Sequence, residues 1–395
     1  MKKGWLTKKL REVCELINGR AYSKPELLAE GKYRVLRVGN FFTNEHWYYS
    51  DMELEEKKYC DTGDLLYAWS ASFGPRMWTG GKVIYHYHIW KVAHDRREID
   101  QKFLFYFFQW DTEKIKEDQG TGTTMMHVSM GSMNERDIQL PPLAEQQRIV
   151  GLLDEAFAGL ATAKANAEKN RQNARALFES HLKSVFTQRG EGWVENKLKS
   201  ITTKIGSGAT PRGGGESYKA EGLSLIRSLN VHDLGFKYAK LAFLDDKQAD
   251  ELSNVAVQPR DVLLNITGAS VARCCIVPED VLPARVNQHV SIIRPIAGKL
   301  DPDFLHYLLI SKPYKDQLLQ TGEEGGSTRQ AITKAQIQDF TVEYPATLDE
   351  QKTIVARLDA MLAETQRLAS LYERKLAALE ALKKSLLHQA FTGEL

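Results

Sequence analysis

The sequence predicts an α+β chain of two α/β domains, each followed by one long helix, arranged as an internal repeat. Three observations predict this fold. Segment 143–187 recurs without a gap as 348–392, 205 positions further on. Both copies lack proline and consist mainly of good helix formers. Shorter matches recur between the segments that precede them, such as Gly-Trp-x3-Lys-Leu at 4–10 and 192–198. Such a repeat defines the architecture before any single element does.

The two long segments carry an apolar stripe at heptad spacing. In the first copy the stripe steps by four and three from Ile149 to Ser184 and includes Asn170 and Leu177. In the second copy it runs from Ile354 to Gln389. One amphipathic helix cannot bury such a stripe alone, so we expect the helices to bury it against each other. The alternative is two unrelated helices, each packed on its own domain.

Length and composition are those of an ordinary globular protein of two or three domains, with 395 residues, 43% of them hydrophobic and 26% charged. No apolar run reaches the roughly eighteen residues of a membrane span, and the N-terminus lacks the apolar core of a secretory signal. The four cysteines form no C-x-x-C pair and are typical of reduced thiols. We therefore expect a cytoplasmic protein.

The net charge of +2 does not by itself indicate a nucleic-acid partner, so any basic surface must be local. Residues 1–40 hold ten Lys or Arg against four Glu, a net charge of +6. A positive lobe of this kind suits contact with phosphates. Charge alone predicts a solvated surface equally well.

Polar turn sequences follow predicted strands at matching places in the two halves, and we take them as candidate DNA-contacting loops. An Arg on a short strand with an Asn just after it suits recognition of a base or phosphate, or equally the pinning of a turn. Loops of small, hydroxyl-bearing residues let the backbone approach DNA, and their terminal Arg reaches an anion. The candidates are Arg20, Tyr22, Ser23, Lys24, Arg37, Asn40, Ser70, Ser72 and Arg76 in the first half, and Thr210, Arg212, Arg227, Asn230, Thr267, Ser270, Arg273, Ser327, Thr328 and Arg329 in the second.

Two histidines, His86 and His88, lie two residues apart, and such residues share one face of a strand. No Cys, Asp or Glu accompanies them as a further metal ligand. We therefore interpret them as residues on the surface of a strand and expect no metal site.

The string LPPLAEQQRIV at 140–150, which has a counterpart in the second half, resembles strings in the specificity subunit of type I restriction–modification enzymes. Thr210-Pro211-Arg212 and Asn287-Gln288-His289 are further landmarks similar to the family's, from which the first half departs. The resemblance covers the whole chain. It implies target-recognition domains at 1–142 and 189–347, each followed by a conserved long helix, at 143–188 and 348–395. It also implies that these helices form an antiparallel coiled coil with pseudo-two-fold symmetry.

The resemblance further implies a role in which this chain contributes only the choice of sequence. Double-stranded DNA would be read as a bipartite, asymmetric target, with one half-site per domain and a spacer set by the coiled coil. Two modification subunits would bring S-adenosylmethionine and methylate adenine. Restriction subunits would bring ATP-driven translocation and cleavage with Mg. The chain itself would bind no cofactor and catalyse nothing.

The sequence offers little support for a catalytic function. It lacks the [Asp/Asn]-Pro-Pro-aromatic motif of adenine methyltransferases, a Gly-x-Gly-x-x-Gly motif and a phosphate loop. Glu-x-Lys triplets, as in metal-dependent nucleases, occur at 55–57, 195–197 and 373–375 without a convincing upstream Asp. The alternatives are the specificity subunit of a type IIB system, a modification-only complex and, in another class, a protein-binding coiled-coil adaptor. The Arg-bearing loops argue against the adaptor.

Overall fold

The computed structural model describes residues 4–42, 45–70, 73–119, 127–323 and 331–395. Contacts divide the chain into two compact units. Unit 1 comprises Met1–Glu168 and Glu373–Leu395, and unit 2 comprises Lys169–Tyr372. Each unit therefore contains one α/β domain together with part of both long helices.

The first domain contains strands β1 (Leu6–Lys9), β2 (Cys14–Asn18), β3 (Tyr33–Leu36), β4 (Tyr48–Ser50), β5 (Tyr59–Cys60), β6 (Leu65–Ala68), β7 (Gly74–Met77), β8 (Val83–Tyr85), β9 (Ile89–His94) and β10 (Asp137–Leu140). Its helices are α1 (Val38–Phe42), α2 (Gln101–Gln119) and α3 (Met130–Asn134), and the first long helix, α4 (Leu143–Thr187), follows.

The second domain contains strands β11 (Trp193–Lys197), β12 (Thr202–Ser207), β13 (Leu223–Ile226), β14 (Val231–His232), β15 (Gly235–Phe236), β16 (Ala242–Leu244), β17 (Val262–Asn265), β18 (Cys274–Ile276), β19 (Ala284–Val286), β20 (Val290–Pro295) and β21 (Thr341–Pro345). Its helices are α5 (Leu198–Ile201), α6 (Asp246–Glu251), α7 (Pro302–Ile310), α8 (Lys312–Glu323) and α9 (Lys334–Asp339), followed by the long helix α10 (Leu348–Thr392).

The two domains repeat one strand order. Each contains a four-stranded antiparallel sheet, β2-β9-β6-β7 in the first and β12-β20-β17-β18 in the second. A further sheet, β4-β3-β8-β5 or β16-β13-β19, includes one parallel pair in each domain, β3 with β8 and β13 with β19. An antiparallel ladder joins the first strand of each domain to its last, β1 to β10 and β11 to β21. This shared topology explains why the sequence landmarks recur in order.

One inner strand of each four-stranded sheet, β6 in the first domain and β17 in the second, is buried on both faces. All four residues of β6 are buried, and so are all four of β17. In β6, Leu65 and Tyr67 pack with the aromatic residues of α2, whereas Leu66 and Ala68 pack with the second sheet. Residues alternate between the two faces of a strand, so an unbroken apolar run is what a strand covered on both sides requires.

The aromatic runs at 103–108 and 304–309 predict a core helix in each half, and both are confirmed as parts of α2 and α7. Both begin at an aspartate that caps free backbone amides. The carboxylate of Asp301 accepts hydrogen bonds from the amides of Asp303 and Phe304 at 2.9 and 3.1 Å. Asp100 does the same at the start of α2, at 2.9 and 3.0 Å. A capping carboxylate of this kind stabilises a helix start by about 1 kcal/mol.

A buried glutamine fixes the start of α4. Gln146 is fully buried, and its amide nitrogen donates to the carbonyl oxygens of Glu98 and Pro141 at 3.0 and 2.9 Å. Its amide oxygen accepts from the backbone amide of Asp100 at 2.8 Å. Each polar atom of the amide is therefore bonded to the backbone around the helix start.

Gln351 repeats this arrangement at the start of α10. It too is fully buried, and its nitrogen donates to the carbonyl oxygens of Lys299 and Pro345 at 3.0 and 2.9 Å. Its oxygen accepts from the amide of Asp301 at 2.7 Å. The glutamine recurs in the repeated string because it bonds to the backbone around the start of each long helix.

Within unit 1 the two long helices run antiparallel. Arg148, near the start of α4, donates to the carbonyl oxygen of Leu395 at 3.0 Å, and the Lys383 ammonium lies 5.5 Å from the ring centroid of Phe157. Residue numbers thus fall along α10 as they rise along α4. Within unit 2, the second half of α4 shares a core with the start of α10, including Val355. The mutual burial predicted for the helices is confirmed, although each also packs on the domains.

The predicted stripe of α4 is wrong near its end. Ile149 and Leu153 are buried as predicted. Asn170 is exposed, and Leu177 is 53% exposed. Leu382, the repeat partner of Leu177, is 48% exposed. Strict heptad spacing therefore does not describe either helix over its full length.

The buried positions of α4 continue one or two residues after the predicted ones, at Phe178, Leu182 and Phe186. Phe178 contacts the ring of Tyr307 and Phe186 that of Phe304, at centroid distances of 6.3 and 5.4 Å. This half of α4 covers the aromatic core of the second domain, so its buried face follows the aromatic residues and not the heptad.

The Gly/Ser/Thr-rich stretches 120–132 and 322–329 predict loops, and the structure corrects one bound of each. The loop expected from Gly120 to Ser132 ends earlier, because α3 begins at Met130 and the hydroxyl of Ser129 caps it by accepting from the amide of Ser132 at 3.0 Å. The loop expected to begin at Gly322 begins later, because α8 extends to Glu323. None of the described helices is long and apolar enough to cross a membrane.

Candidate nucleic-acid interface

In the first domain the predicted loops gather around the turn between β8 and β9. Backbone amides connect them to it: Arg20 donates to Tyr85 at 3.0 Å, and Trp69 to His88 at 3.0 Å. The amide of His86 in turn donates to Leu36 at 2.9 Å. We call the segments 20–26, 37–42, 69–70, 86–88 and 127–128 the first loop face.

The second domain assembles its loops by similar bonds, two of them at equivalent positions. Gly208 donates to the carbonyl oxygen of Asn287 at 3.2 Å, Asn287 donates to Ile226 at 3.1 Å, and Ile266 donates to His289 at 3.0 Å. We call the segments 207–212, 227–230, 266–273, 287–289 and 331–332 the second loop face. The two faces share one backbone framework and differ in the side chains it carries.

Aromatic and imidazole rings dominate the first loop face. The Trp69 ring lies 4.9 Å from that of His88 and 5.9 Å from that of Tyr87. His86 lies 4.7 Å from His88 and 6.3 Å from Tyr22. Tyr87, at the tip of the turn, is 38% exposed. Flat rings of this kind offer stacking surfaces to nucleobases.

The strand-surface interpretation of His86 and His88 is therefore wrong. β8 ends at Tyr85 and β9 begins at Ile89, because the amide of Ile89 turns back to the carbonyl oxygen of His86 at 2.9 Å. Sequence reasoning missed this turn as part of the interface. The signal was present, since these residues occupy the place of Asn287-Gln288-His289, which the sequence singled out in the second half.

Hydrogen-bonding groups dominate the second loop face. The Thr210 hydroxyl donates to the Gln288 side-chain oxygen at 2.5 Å. The Gln288 nitrogen lies 3.1 Å from Nε2 of His289, and Nδ1 of His289 lies 2.5 Å from the Thr267 hydroxyl. This chain of bonds ties three loops together, so the predicted residues Thr210 and Thr267 do lie side by side with the central turn.

The arginines of the candidate set differ in what they contact. Arg20 pairs with Glu26 at 2.6 Å, and this bond, with those from Ser23, holds the pKa of Glu26 at about 2. Arg227 donates to the carbonyl oxygen of Lys240 and lies over the ring of Tyr218 at 5.0 Å. These contacts give both arginines a structural role within their loops.

Arg76 does not end a loop as predicted. It lies inside β7, opposite Leu66, and its guanidinium donates to the carbonyl oxygen of Phe41. The loop before it closes earlier than expected because Gly74 already pairs with Ala68. Arg76 therefore connects β7 to α1.

Three further candidates have structural roles. Asn230 is fully buried, accepts from the amide of Arg227 at 3.0 Å and donates to Lys237 at 2.8 Å, so the turn-pinning alternative applies to it. Ser70 is buried at 5% exposure. Ser23 caps the short helical turn that follows it, with its hydroxyl 2.9 Å from Glu26.

Other candidates remain available at the surface. The side chains of Lys24 and Arg212 are exposed, and Arg273 is partly exposed. Within the described part of the chain, none of these three has a side-chain hydrogen bond or ion pair. Tyr22 and Ser270 lie on the loop faces, and the Ser270 hydroxyl accepts from Asn265 at 3.2 Å. The remaining candidates, Ser72, Ser327, Thr328 and Arg329, lie outside the described residues.

The positive lobe expected over residues 1–40 is largely neutralised by ion pairs with other residues. Lys9 pairs with Asp137 at 2.7 Å, and further pairs join Lys8 to Glu98, Arg11 to Glu135 and Lys32 to Glu53. Arg37 differs, since its described side-chain contact is the ring of Tyr48, 5.3 Å away.

Arg37 and Asn40 line a cavity of about 250 Å³ on the first loop face. Arg37 does not lie on a strand as predicted, because β3 ends at Leu36. Asn40 follows it in α1, which begins at Val38. His86 and His88 line the same cavity. Burial and the positive charges of His88 and Arg37 lower the pKa of His86 to about 4, so this imidazole is neutral near pH 7.

The family model of the type I restriction modification DNA specificity domain matches residues 2–170 and 190–373. The EcoBI specificity subunit of Escherichia coli is 23% identical over 418 residues, which cover 99% of this chain and 86% of that protein. The MjaVIII specificity subunit of Methanocaldococcus jannaschii is 23% identical over 350 residues, which cover 84% of this chain and 79% of that protein.

Two solved structures share the fold. A chain from a structure of complex assembly and conformational transition in the type I R-M system has a TM-score of 0.79 at 20% identity, covering 100% of this chain and 99% of that one. The HsdS subunit from Thermoanaerobacter tengcongensis has a TM-score of 0.58 at 20% identity, covering 100% of this chain and 98% of that one. With two matches that together span most of its length, this chain belongs to the family of type I restriction–modification DNA specificity subunits.

Proposed function

We propose that this chain reads a bipartite, asymmetric DNA target, one half-site with each domain. The observation that carries the proposal is the pair of loop faces, which share a backbone framework but present different side chains at equivalent places. His86 and Tyr87 stand where the second domain has Asn287 and Gln288, and Trp69 stands where it has Ile266. A common scaffold with different base-contacting groups is what two different half-sites require.

The long helices would determine how the half-sites are arranged. Two similar helices packed antiparallel are related by a two-fold axis, so the half-sites should be read on opposite strands. The helix pair carries none of the candidate base-contacting residues, so a gap of unread base pairs should separate the half-sites. Together these features make the target discontinuous.

The partners would be two modification subunits and the restriction subunits. The modification subunits would supply S-adenosylmethionine and methylate adenine, and the restriction subunits would supply ATP-driven translocation and cleavage with Mg. The complex would act in the cytoplasm. The names of the relatives support these partners, since each is the specificity subunit of a type I restriction enzyme.

The test is to assemble the chain with its modification subunits and to map the adenines that they methylate. We expect two short half-sites separated by a fixed gap. Arg273→Ala should relax or weaken recognition of one half-site and leave the other unchanged, because Arg273 belongs to the second loop face alone. Lys24→Ala, on the first loop face, is the matched variant and should affect only the other half-site.

Three outcomes would contradict the proposal: methylation of a continuous target, an equal effect of either substitution on both half-sites, or methyl transfer by the rigorously purified single chain. Mass analysis of co-purifying subunits would distinguish a restricting complex from a modification-only or type IIB complex. A complex that binds proteins and no DNA would favour the coiled-coil adaptor.

A further inference from the structure

The cavity on the first loop face has the chemistry of an anion site. It is lined by Arg37, Val38, Gly39, Asn40, His46, Tyr48, His86 and His88. These described lining residues supply a guanidinium, an amide, a phenol and three imidazoles, and no carboxylate. Donors of this kind gathered around a cation suit an anion, whereas a base edge offers donors as well as acceptors.

The guanidinium of Arg37 lacks a counter-ion among the residues that the structure describes. It lies over the Tyr48 ring at 5.3 Å and faces the cavity. Arg227, its repeat partner, is instead committed to the Lys240 carbonyl oxygen and the Tyr218 ring. An arginine held at a cavity with its donors unused is suited to bind a phosphate, which accepts its planar fork of hydrogen bonds.

His86 and His88 also line the cavity, and the charge of whatever occupies it affects how many N–H donors they carry. Their rings lie 4.7 Å apart. Burial lowers the pKa of both histidines. Neighbouring positive charge lowers it further: His88 and Arg37 act on His86, and His127 and Arg37 act on His88. An anion in the cavity would oppose these effects and favour the imidazolium forms. The backbone amide of His88 donates to Nδ1 of His86 at 3.4 Å, so Nε2 is the His86 nitrogen that can donate to an occupant.

We propose that this cavity binds one phosphate group of the DNA backbone, held by Arg37, His86 and His88. The second domain, with Arg227 engaged and Asn287 in the place of His86, would hold its half-site through other contacts. The proposal rests on the DNA-reading function above and names one of its contacts. A phosphate contact fixes the register of a protein on DNA without reading sequence.

The binding of DNA should then take up protons. The groups that face His86 are Arg37, His46, Tyr48 and His88 around the cavity, the Tyr22 and Tyr87 rings at 6.3 and 4.5 Å, and Arg20, whose charge is balanced by Glu26. The lowered pKa values of His86 and His88 favour their neutral forms in the absence of DNA. A phosphate that raises their pKa makes the bound form more protonated, so affinity rises as pH falls from about 8 to about 6.

The experiment measures DNA affinity of the complex with the modification subunits, on its own target and on unrelated duplexes. Arg37→Gln should weaken binding to both roughly 10-fold, because a hydrogen-bonded charge pair is lost, and should lower the salt slope by about one. Arg96→Gln makes the same charge change at the far end of β9, where Arg96 donates to Gln101 at 3.2 Å, and should change neither.

A second arm keeps the wild-type protein and neutralises one DNA phosphate at a time with a methylphosphonate. One position should weaken wild-type binding by roughly the same factor as Arg37→Gln. The same position should have no effect on the Arg37→Gln complex. His86→Asn with His88→Asn should flatten the pH dependence of binding between pH 6 and 8.

The outcomes separate this inference from the proposed function. If wild-type complex recognises its target but no methylphosphonate position couples to Arg37, the phosphate site is refuted and the DNA-reading function stands. A change of base preference on Arg37→Gln would make it a base contact, which also refutes the site. If the histidine NMR signals of the free chain respond to inorganic phosphate while DNA coupling is absent, the cavity takes free phosphate instead. A complex without sequence preference would refute both proposals.

Discussion

Tyr307 donates a hydrogen bond from its phenolic hydroxyl to a carboxylate oxygen of Asp359 at 2.6 Å, and this bond joins α7 to α10. Tyr106 makes the same bond to Asp154, also at 2.6 Å, and joins α2 to α4. Burial raises the pKa of both tyrosines, and the hydrogen bond to the carboxylate raises it further, so both stay protonated donors. The repeated Asp of the long helices thus marks a joint between helix and domain.

Removal of this hydroxyl should weaken the joint without disturbing its packing. Tyr307→Phe keeps the ring and should lower the free energy of unfolding by about 1.5–3 kcal/mol, the range of a hydrogen bond to a charged group. Tyr238→Phe is the control, because Tyr238 is 53% exposed and donates to Asp280 at the surface at 3.1 Å. Denaturant unfolding measures both. If both variants lost the same free energy of unfolding, the bond from Tyr307 to Asp359 would contribute no more to stability than an exposed hydrogen bond.

The buried glutamines should be more sensitive than the tyrosines. Gln351→Leu leaves the amide of Asp301 and the carbonyl oxygens of Lys299 and Pro345 without partners, and each buried orphan group costs about 1–3 kcal/mol. We expect a loss of at least about 2 kcal/mol in the free energy of unfolding. Gln389→Leu removes an exposed bond to Ser385 at 3.2 Å and is the control. A Gln351→Leu variant as stable as wild type would contradict this account of the repeated string.

Stability should depend on pH through His86. Its pKa is about 4 in the folded chain and 6.5 in its ordinary state, so between these values the unfolded chain binds a proton that the folded chain does not. Stability attributable to the neutral imidazole is therefore lost as pH falls from about 6.5 towards about 4. His86→Asn removes the titrating group and places there the residue found at 287. Thermal unfolding without DNA should show a wild-type Tm that declines more steeply over this window than that of the variant, and parallel profiles would refute the assignment.

The long helices should act as a spacer. A heptad inserted after Glu168 in α4 and another after Tyr372 in α10 fall where the compact units meet within each helix. Each insertion lengthens its helix by about 10 Å at roughly 1.5 Å per residue. We expect methylation at the same half-site bases with a wider gap, or lost binding if the helical phase of DNA cannot adapt. Replacement of seven residues at the same points without insertion should keep the gap. Changed bases at an unchanged gap would refute the spacer.

Sequence reasoning was accurate where the same kind of burial recurs at regular spacing along the chain. The gapless recurrence of 143–187 predicted two long helices, because one helical face must bury its apolar residues wherever it packs. The apolar runs of β6 and β17 are buried strands for the same reason. It failed at the end of the α4 stripe, where Leu177 is exposed and Phe178 is buried. The aromatic core of the second domain, assembled from distant segments, decides that face.

The same distinction between local pattern and tertiary packing applies to the candidate interface. By itself, the sequence determined which loops carry polar and cationic residues, the order in which they recur, and the family to which they are similar, because turn chemistry and repeats are local. Only the tertiary structure decided which arginines keep their charge available. Arg20 pairs with Glu26 of its own segment, and Arg76 and Arg227 donate to carbonyl oxygens of other segments. Arg37 is left beside His86 and His88 at a cavity. A side chain's partner is set by whichever segment folds against it, and no pattern along the chain contains that choice.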